Sequence, residues 1–451
     1  MNKKEVIVIG GGLAGCEAAY QIAKRGLDVK LYEMKPKKFS PAHSNKDLAE
    51  IVCSNSFKSN LHTNACGLLK EELRLLDSLL IRIADETSIP SGQALAVDRE
   101  KFSRRVTEEI EKIKNIEIIK EEVGDKINLN ELIKDHFVVI ATGPLTSDKL
   151  SKQIIELTGE EDLHFFDAAA PIIQKDSIDF DIAFYGNRYE QERPKDMSIE
   201  EWCDQYNSTE QDKAYINLPM NKEEYECFVN DIINAEVVEL HKFEKKEIFE
   251  GCMPVEVMAK RGIDTLRFGP LKPVGFTDPK TGVRPYAVVQ LRQDNKDATI
   301  YNIVGFQTNL KFGEQKRVFS NIPGLKDAEF VKYGVMHRNT FINSPKLLDN
   351  TYNMIQNKNV YFAGQITGVE GYVESIASGL VVGINVANNC KTVFSEKTMI
   401  GALASYISTP NDKFQPMNAN FGILPELEEK IRDKKLKYKE LADRALNNIT
   451  Q

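Results

Sequence analysis

Three glycines near the start of the chain have the spacing of a phosphate-binding turn. They follow a continuous β-branched run at 6–9 and read G-x-G-x-x-G. The first glycine permits the tight turn, the second lets the backbone approach a pyrophosphate, and the third lets the next helix pack on its strand. The helix start then offers free N–H groups to phosphate oxygens. The predicted dinucleotide contacts are Gly10, Gly11, Gly12, Leu13, Ala14 and Gly15.

An acidic residue completes this unit. A helix over 16–25, capped by Gly26, leads to a second apolar strand at 28–33 that ends in Glu33. This residue follows the third glycine by 18 positions, close to the roughly 20 expected of the acid that binds a ribose hydroxyl. We therefore predict that Glu33 accepts hydrogen bonds from the ribose of the dinucleotide.

Two of the seven cysteines lie in segments where a thiol could react. Cys252 stands between Gly251 and a Met-Pro pair, in a turn that continues neither a helix nor a central strand. Cys53 lies in the polar stretch 35–67, whose length without periodicity is typical of a functional loop. From composition alone, a small buried hydrophobic residue remains the alternative for either cysteine.

Two later strands should complete the nucleotide site. The run 137–140 is a buried strand that ends in Ala-Thr-Gly, as in flavoproteins of the two-dinucleotide-fold type. The run 360–365 ends in Ala-Gly-Gln and precedes an apolar helix at 375–388. In FAD enzymes such a late strand brings the flavin against a helix N-terminus. We predict one FAD site built from the first and last segments of the chain, with Gly364, Gln365 and Tyr372 at the flavin.

The fold class that these elements predict is α/β, with an FAD-binding Rossmann-like domain and an inserted smaller α+β domain. A chain of 451 residues exceeds the usual length of a single domain. Strand-like runs at 286–292 and 299–307 flank a polar turn and indicate an antiparallel hairpin. The predicted boundaries are 1–170 for the first part of the FAD-binding domain, 171–330 for the insert and 331–451 for the second part.

Composition excludes several classes of protein. No apolar run reaches the roughly 18 residues of a membrane span, and the nucleotide-binding strand begins too early for a signal peptide, so we expect a cytoplasmic protein without a membrane partner. The scattered, odd number of cysteines lacks C-x-x-C, which argues against disulfides and a metal site. The net charge of −8 means that nucleic acid would bind through local basic patches.

Longer motifs resemble one family over nearly the whole chain. They are V-C-S-N-S at 52–56, A-V-D-R at 96–99, D-A-A-A-P at 167–171, F-E-G-C-M-P at 249–254, R-P-Y-A-V-V-Q-L-R at 284–292, Y-N-I-V-G-F-Q-T at 301–308, G-V-M-H-R-N-T-F-I-N-S-P at 334–345 and G-V-E-G-Y-V-E-S at 368–375. The chain resembles the folate- and FAD-dependent RNA (uracil-5-)-methyltransferases, best known for tRNA. The charged stretch near 189–211 looks longer than the usual family connection.

The resemblance implies a reaction and its residues. Uracil C5 becomes nucleophilic only after a thiolate adds to C6, and Cys252 would supply that thiolate. The carbon would come from methylenetetrahydrofolate, pass through reduced FAD and take electrons from NAD(P)H. Cys53 would be the second functional cysteine, near the flavin or the uracil. Tyr372 would stack on the flavin, with an ordinary core tyrosine as the alternative.

Basic residues are the remaining candidates. The thiolate of Cys252 requires a nearby cation or backbone donors, because a thiol of ordinary pKa is mostly protonated at neutral pH. Sequence offers Lys260, Arg261, Arg284, Arg292 and the pair His337 and Arg338 without choosing among them. For RNA phosphates it offers a C-terminal basic helix with Lys430, Arg432, Lys434, Lys435, Lys437 and Lys439, although a solvated helix fits as well because glutamates are interleaved.

Three rival interpretations remain. One is an FAD-dependent thiol oxidoreductase that acts on a small molecule and pairs Cys53 with Cys252. Another is an RNA-binding subunit without catalysis, against which the intact cysteines and glycine turn speak. The third keeps the chemistry but places it on a ribosomal RNA uridine instead of the T-loop uridine of tRNA. The oligomeric state is open.

Overall fold

The structure is a computed structural model of the chain. It describes residues 5–40, 42–159, 163–168, 170–190, 192–209, 211–238, 253–334, 336–411 and 414–449. Cys252, the predicted nucleophile, lies outside the described residues.

The strands and helices are numbered here in chain order. The strands are β1 (Val6–Ile9), β2 (Val29–Tyr32), β3 (Ser56–Ser59), β4 (Ser88–Ile89), β5 (Ala94–Val97), β6 (Ile116–Ile119), β7 (Phe137–Ile140), β8 (Leu163–Ala168), β9 (Ile172–Gln174), β10 (Phe184–Tyr185), β11 (Tyr215–Met220), β12 (Ala287–Gln293), β13 (Ile300–Ile303), β14 (Phe330–Lys332), β15 (Met336–Phe341) and β16 (Val360–Phe362). The α-helices are α1 (Leu13–Lys24), α2 (Ala65–Leu75), α3 (Leu79–Glu86), α4 (Arg99–Lys112), α5 (Leu129–Asp135), α6 (Asp148–Thr158), α7 (Ile199–Ser208), α8 (Lys222–Asn234), α9 (Val255–Lys260), α10 (Thr265–Phe268), α11 (Phe312–Phe319), α12 (Ser344–Leu347), α13 (Tyr372–Asn388), α14 (Met399–Ser408) and α15 (Lys434–Ile449).

A five-stranded parallel sheet carries the N-terminal glycine turn. Its order is β16-β7-β1-β2-β6, and each neighbouring pair is parallel. The strands β1 and β7 are buried apolar runs, as expected of a sheet covered on both faces. Because β16 pairs with β7, a strand from late in the chain completes the sheet that β1 begins.

The helix after the glycine turn packs on a late helix. Helix α1 begins at Leu13, three residues earlier than the sequence predicts, and Gly26 follows it with a positive φ of 84°. Helix α13 also begins three residues early, at Tyr372. At Gly379 of α13 a Cβ would lie 2.3 Å from the Ala14 carbonyl oxygen of α1. Glycine therefore allows the two helix backbones to approach.

Leu69, Leu73, Leu76, Leu80 and Ile83 have helical spacing and by sequence predict one helix, but the structure divides them between two helices. Helix α2 ends at Leu75, Asp77 adopts a positive φ of 56°, and the Ser78 side chain caps α3 by accepting from the Ile81 N–H. The buried carboxylate of Glu17 also accepts from the start of α3, at Leu80 N–H. The polar stretch before this region contains a strand, β3, which pairs with β5.

A second large sheet is antiparallel. Its order is β10-β11-β12-β13-β9-β14. Helix α8 packs against the buried apolar face that includes Ile216, Leu291 and Ile303. The predicted hairpin is present, because β12 pairs antiparallel with β13. This sheet lies within the stretch predicted as the insert, except that β14 extends two residues past it to Lys332, while the predicted domain boundaries stay a prediction.

Two charged segments differ from their predicted form. The many charges of the stretch 189–213 predict a surface insertion, but it contains α7, whose Trp202 is buried, so this segment packs on the protein as well as facing solvent. At the C-terminus α15 begins at Lys434, so Lys430 and Arg432 precede the helix. None of the helices in the described part of the chain is both long and apolar enough to span a membrane.

Candidate functional site

The glycine turn opens into a large cleft at the carboxyl ends of β1, β7 and β16. This cleft has a volume of about 1130 Å³ including its open mouth. The predicted cofactor residues that line it are Gly10, Gly11, Gly12, Leu13, Ala14, Glu33, Gly364, Gln365 and Tyr372. The structure therefore brings together residues that lie more than 300 positions apart in the chain. Ligands of open α/β sheets bind at this edge.

The three glycines of the motif have different surroundings. Gly10 has a φ of 107°, and a Cβ there would lie 2.5 Å from the Ala141 carbonyl oxygen. At Gly15 a Cβ would lie 1.8 Å from the Gly10 carbonyl oxygen, so this residue serves packing and lies below the cleft. At Gly12 a Cβ would meet nothing within 4 Å. The open space at Gly12 is where a pyrophosphate can approach the backbone.

Glu33 lies in the wall of the cleft. Its side chain is buried, and its two oxygens accept hydrogen bonds from the N–H groups of Gly11 and Lys35, both at 2.9 Å. The first of these bonds ties the end of β2 to the glycine turn. Each carboxylate oxygen can accept a further hydrogen bond, so the predicted contact with a ribose hydroxyl is compatible with these partners.

Tyr372 connects the cleft to the loop of Cys53. The Tyr372 hydroxyl oxygen accepts hydrogen bonds from the backbone N–H groups of Cys53 at 2.8 Å and Ser54 at 3.1 Å. Burial, and then the proximity of Cys53, raise the pKa of this hydroxyl. The ring lies 5.7 Å from that of Phe57 and also lines the cleft. The Cys53 backbone is thus held beside the cleft.

Asn55 ties the same loop to the antiparallel sheet. Its fully buried amide donates to the carbonyl oxygens of Gln293 at 2.9 Å and Val97 at 3.3 Å, and accepts from Arg292 Nε at 3.2 Å. A second guanidinium nitrogen of Arg292 donates to Ser54 Oγ at 2.7 Å. The two neighbours after Cys53 are therefore both bonded to Arg292.

Arg99 reinforces the contact between the two sheets. Its guanidinium binds both carboxylate oxygens of Asp294, with distances of 2.9 and 3.1 Å, and also donates to the Ile51 carbonyl at 3.2 Å. Burial alone would lower the pKa of Arg99, but Asp294, Tyr372 and Cys53 together raise it. A bidentate, buried pair of this kind fixes orientation as well as distance.

Cations surround the Cys53 loop. Burial, and next the nearby Arg99, lower the pKa of Lys332, whereas Cys53 is among the groups that raise it. Burial lowers the pKa of Arg292 as well. Cys53 therefore lies near the cations Arg99 and Lys332, and the carboxylate of Asp294 acts on both of them.

The residues described on either side of Cys252 donate hydrogen bonds to one short stretch, residues 307–309. Val238 donates its N–H to the Asn309 carbonyl at 2.9 Å, and Val255 donates to the Gln307 carbonyl at 2.8 Å. Met253 is buried and Pro254 precedes α9. The chain before residue 239 and the chain after residue 252 are thus bonded to carbonyl groups that lie only two positions apart in sequence.

Among the cations proposed from sequence, only Arg292 is seen at the Cys53 loop in the described residues. Lys260 and Arg261 are exposed at the end of α9, and Arg284 is exposed and paired with Glu192. The side chains of His337 and Arg338 are not described. Within the described ranges, no group of three or more histidine, cysteine or acidic side chains is arranged to hold a metal ion.

Sequence reasoning missed Arg99, Asn55, Asp294 and Lys332. The first three lie inside or next to motifs that carried the resemblance, which is a signal that could have singled them out. Their partners are up to 238 positions away, however, and no local pattern specifies such pairing.

The fold and the cleft define an α/β protein of the dinucleotide-binding, flavoprotein type. A family model described as Glucose inhibited division protein A matches residues 5–393. The structure of Aquifex aeolicus GidA in the form II crystal aligns with a TM-score of 0.67 at 17% identity, covering 100% of this chain and 73% of that one. That likeness supports the predicted fold class.

Full-length relatives narrow the family. The protein of Acetivibrio thermocellus named "Methylenetetrahydrofolate--tRNA-(uracil-5-)-methyltransferase TrmFO" is 59% identical over 449 residues, which is 98% of this chain and 97% of the relative. The Fusobacterium nucleatum protein of the same name is 56% identical over 451 residues, 99% of this chain and 98% of the relative. The chain belongs to the Glucose inhibited division protein A family, in its TrmFO-like branch. The resemblance inferred from the motifs is confirmed.

Proposed function

We propose that the protein methylates C5 of a uridine in RNA, namely the T-loop uridine of tRNA. Methylenetetrahydrofolate is the carbon donor, FAD the carrier and reductant, and NAD(P)H the source of electrons. The observation that carries this proposal is full-length identity of 53 to 59% to relatives named for a folate-dependent tRNA (uracil-5-) methylation. The cleft lined by Tyr372, whose hydroxyl holds the Cys53 backbone, supports it.

The cleft fits FAD. Gly12 leaves room for a pyrophosphate, α1 and α13 both begin at its wall, and Glu33 has acceptor capacity for a ribose. When bound, FAD supplies the transfer of the one-carbon unit and the electrons that reduce it. Gly364, Gln365 and Tyr372 lie where the flavin end would be held, and Gly10 to Ala14 hold the phosphates. Tyr372 contacts the Cys53 loop through its hydroxyl, so its ring remains available to the cleft.

The two cysteines have separate tasks in this proposal. Cys252 adds as a thiolate to uracil C6, because C5 is a poor nucleophile until the C5=C6 π electrons move toward the C4 carbonyl. Cys53 lies on the flavin side, with its backbone held by Tyr372 and with Arg99 and Lys332 near its sulfur. A cysteine in such a setting can take the C5 proton as a thiolate.

RNA must present the base outside its stack. A base inside a helix cannot accept attack at C6, so the uridine leaves the stack to enter the site. The protein is acidic overall, and phosphates would bind local cations such as those of α15. Affinity should therefore fall steeply with salt.

The deciding experiment supplies labelled methylenetetrahydrofolate and NAD(P)H with separate pools of tRNA and ribosomal RNA. We expect 5-methyluridine at the T-loop position of tRNA. Label in ribosomal RNA alone would show that the reaction is as proposed but that its substrate is a ribosomal RNA uridine. Absence of label in both pools, with NAD(P)H-dependent reduction of a small disulfide, would favour a thiol oxidoreductase instead.

Cysteine variants separate the two thiols. Cys252→Ala should abolish methyl transfer and keep FAD, because the glycine turn and the late strand hold the cofactor. With tRNA that carries 5-fluorouracil, the wild type should accumulate a covalent adduct, since fluorine cannot leave as the C5 proton does. Cys53→Ala is the matched control, because this variant retains the thiol at 252. An adduct mapped to Cys53, or methylation by Cys252→Ala, would reverse the assigned roles.

A further inference from the structure

Three aromatic rings are stacked at the edge of the antiparallel sheet. Phe330 belongs to β14, the last strand in the order of that sheet, and Tyr333 follows the strand. Their ring centroids are 5.2 Å apart with an interplanar angle of 11°. Phe312, the first residue of α11, stacks on Tyr333 with a centroid distance of 5.1 Å and an angle of 19°. We call the rings of Phe330, Tyr333 and Phe312 the aromatic stack.

The inner part of the aromatic stack is anchored in the core. The ring of Phe330 lies 6.5 Å from the ring of Phe319, which is fully buried. A side-chain amide fixes the remainder, because Gln315 of α11 donates to the Gly334 carbonyl and accepts from the Gly334 N–H, both at 2.8 Å. The residue after Tyr333 is therefore tied to the helix that begins with the outer ring.

Phe312 leaves the outer end of the aromatic stack open. This residue is 55% exposed, and in the described part of the chain its ring contacts one other aromatic ring, that of Tyr333. The next residue, Gly313, has no side chain to shield the ring, and a Cβ there would meet nothing within 4 Å. A rigid stack that ends in an exposed ring presents a preformed flat face to a planar ligand.

The aromatic stack lies near the Cys53 loop and outside the cleft. Lys332, the residue before Tyr333, interacts electrostatically with Arg99 and Cys53. The described lining of the cleft includes neither Tyr333 nor Phe312. A group bound on the outer ring would therefore lie close to the site without occupying the space of the cofactor.

The exposed chain around Phe312 is basic. Residues 311–317 contain three basic residues and one acidic residue, in a chain whose net charge is −8. Lys311 and Lys316 are both exposed, and Lys316 follows the ring by four positions, which places it on the same side of α11. A ring between cations suits an anionic chain with planar bases. A stable interface between protein copies needs about 800 Å² on each partner, far more than one ring with charged neighbours provides.

We propose that the exposed face of Phe312 stacks on an unpaired base of the substrate RNA, outside the cleft that holds the cofactor. This inference rests on the proposed function, because an RNA whose target uridine has left the stack has other unstacked bases beside it. Aromatic rings hold such bases well, since every base has a flat π face. The ring contacts no base edge, so it positions the RNA without selecting its sequence.

The test compares tRNA binding by FAD-loaded variants at position 312. Phe312→Leu keeps an apolar side chain and removes the ring, so Kd for tRNA should rise about 5- to 150-fold, the range for loss of one base–aromatic stack. Phe312→Trp keeps a ring and should bind at least as tightly as the wild type. Val331→Ala is the matched control, because Val331 is also 55% exposed and adjoins Phe330 in β14. Its Kd should be unchanged.

Two readouts identify the contact as stacking. Stacking releases no counterions, so Phe312→Leu should leave the slope of log Kd against log salt concentration unchanged. When tRNA carries 2-aminopurine at an unpaired loop position that meets the ring, its fluorescence should be quenched by the wild type and not by Phe312→Leu. On a blunt RNA duplex, which has no unpaired base, the two proteins should bind equally.

Several outcomes would overturn the inference. They are a wild-type Kd for tRNA in Phe312→Leu, an equal loss in Val331→Ala and an equal loss on the duplex. A rise confined to the KM for methylenetetrahydrofolate would assign the ring to folate, and loss of a dimer in light scattering with unchanged tRNA binding would assign it to a second copy. In all these cases 5-methyluridine formation by the wild type would keep the proposed function. A wild type that neither binds nor methylates tRNA would overturn both.

Discussion

A substitution at Gly12 should separate cofactor binding from folding. Gly12 is the N-cap of α1, with φ −81° and ψ −168°, an extended conformation that other residues adopt freely, and a Cβ there meets nothing within 4 Å. Aspartate is a preferred N-cap residue, and its negative charge at a helix start is stabilising by about 0.3–1 kcal/mol. We therefore expect Gly12→Asp to fold at least as stably as the wild-type protein without cofactor.

The same carboxylate should eliminate FAD binding. It would occupy the space of the pyrophosphate and repel its charge. Loss of one charge-assisted hydrogen bond costs about 1.5–3 kcal/mol, which is about a 10- to 150-fold rise in Kd. Repulsion between two charges about 4 Å apart near a protein surface adds up to about 4 kcal/mol. The side chain of Gly12→Asn has the same shape without the charge. Its Kd for FAD should therefore show the loss of the hydrogen bond and not the repulsion between charges.

The assay combines FAD titration by visible absorbance and calorimetry with Tm of the protein freed of cofactor. Gly15→Ala is the opposite control, because its Cβ would lie 1.8 Å from the Gly10 carbonyl oxygen and overpacking costs about 1–3 kcal/mol or more. Added salt should recover part of the affinity of Gly12→Asp and none of that of Gly12→Asn. A yellow Gly12→Asp protein, or one as unstable as Gly15→Ala, would refute the assignment of Gly12 to the pyrophosphate.

Three further outcomes are expected. Glu72 accepts hydrogen bonds from the first N–H groups of α14, and burial raises its pKa to about 8. Its contribution to stability is complete below the unfolded pKa of about 4.3 and is lost as pH rises through about 8. In urea unfolding between pH 5 and 8, Glu72→Gln should therefore reduce the fall of the unfolding free energy with pH by up to about 1.4 kcal/mol per pH unit. Tyr372→Phe leaves two backbone donors at the Cys53 loop unpaired and should cost about 1–3 kcal/mol of stability. The urea midpoint should fall and alkylation of Cys53 should slow, whereas an unchanged midpoint would show that the hydroxyl is dispensable. Neutralising Lys434, Lys435 and Lys437 together should weaken tRNA binding and flatten its salt dependence in filter binding while the flavin spectrum stays unchanged, and unaltered affinity would exclude α15 as a phosphate contact.

Local patterns were sufficient to predict the cofactor half of the molecule. The spacing of Gly10, Gly12 and Gly15, the apolar runs of β1, β2, β7 and β16, and the acid at Glu33 follow from constraints within a few residues. A turn next to a pyrophosphate needs glycine, and a strand buried on both faces needs continuous apolar side chains. Those elements are present in the structure with shifts of up to three residues at helix starts.

Secondary-structure boundaries were less well determined. One periodic stripe was predicted as a single helix, yet Asp77 and Ser78 divide it, because side-chain capping and a positive φ end a helix without breaking the apolar periodicity. Trp202, assigned to a surface segment by its charged neighbours, is buried by tertiary contacts. Hydrophobic patterning reports which face is apolar and says little about where a helix stops.

The sequence by itself determined the nucleotide fold and the family, and it predicts which two cysteines could react. Only the tertiary structure decided what surrounds Cys53: Tyr372, Arg292 and Arg99 come from segments up to 319 residues away and meet at one loop. Side-chain hydrogen bonds and charge pairs act over a few ångströms in space, whereas sequence patterns specify only neighbours along the chain. The environment of the Cys53 thiol is therefore set only when the two sheets pack together.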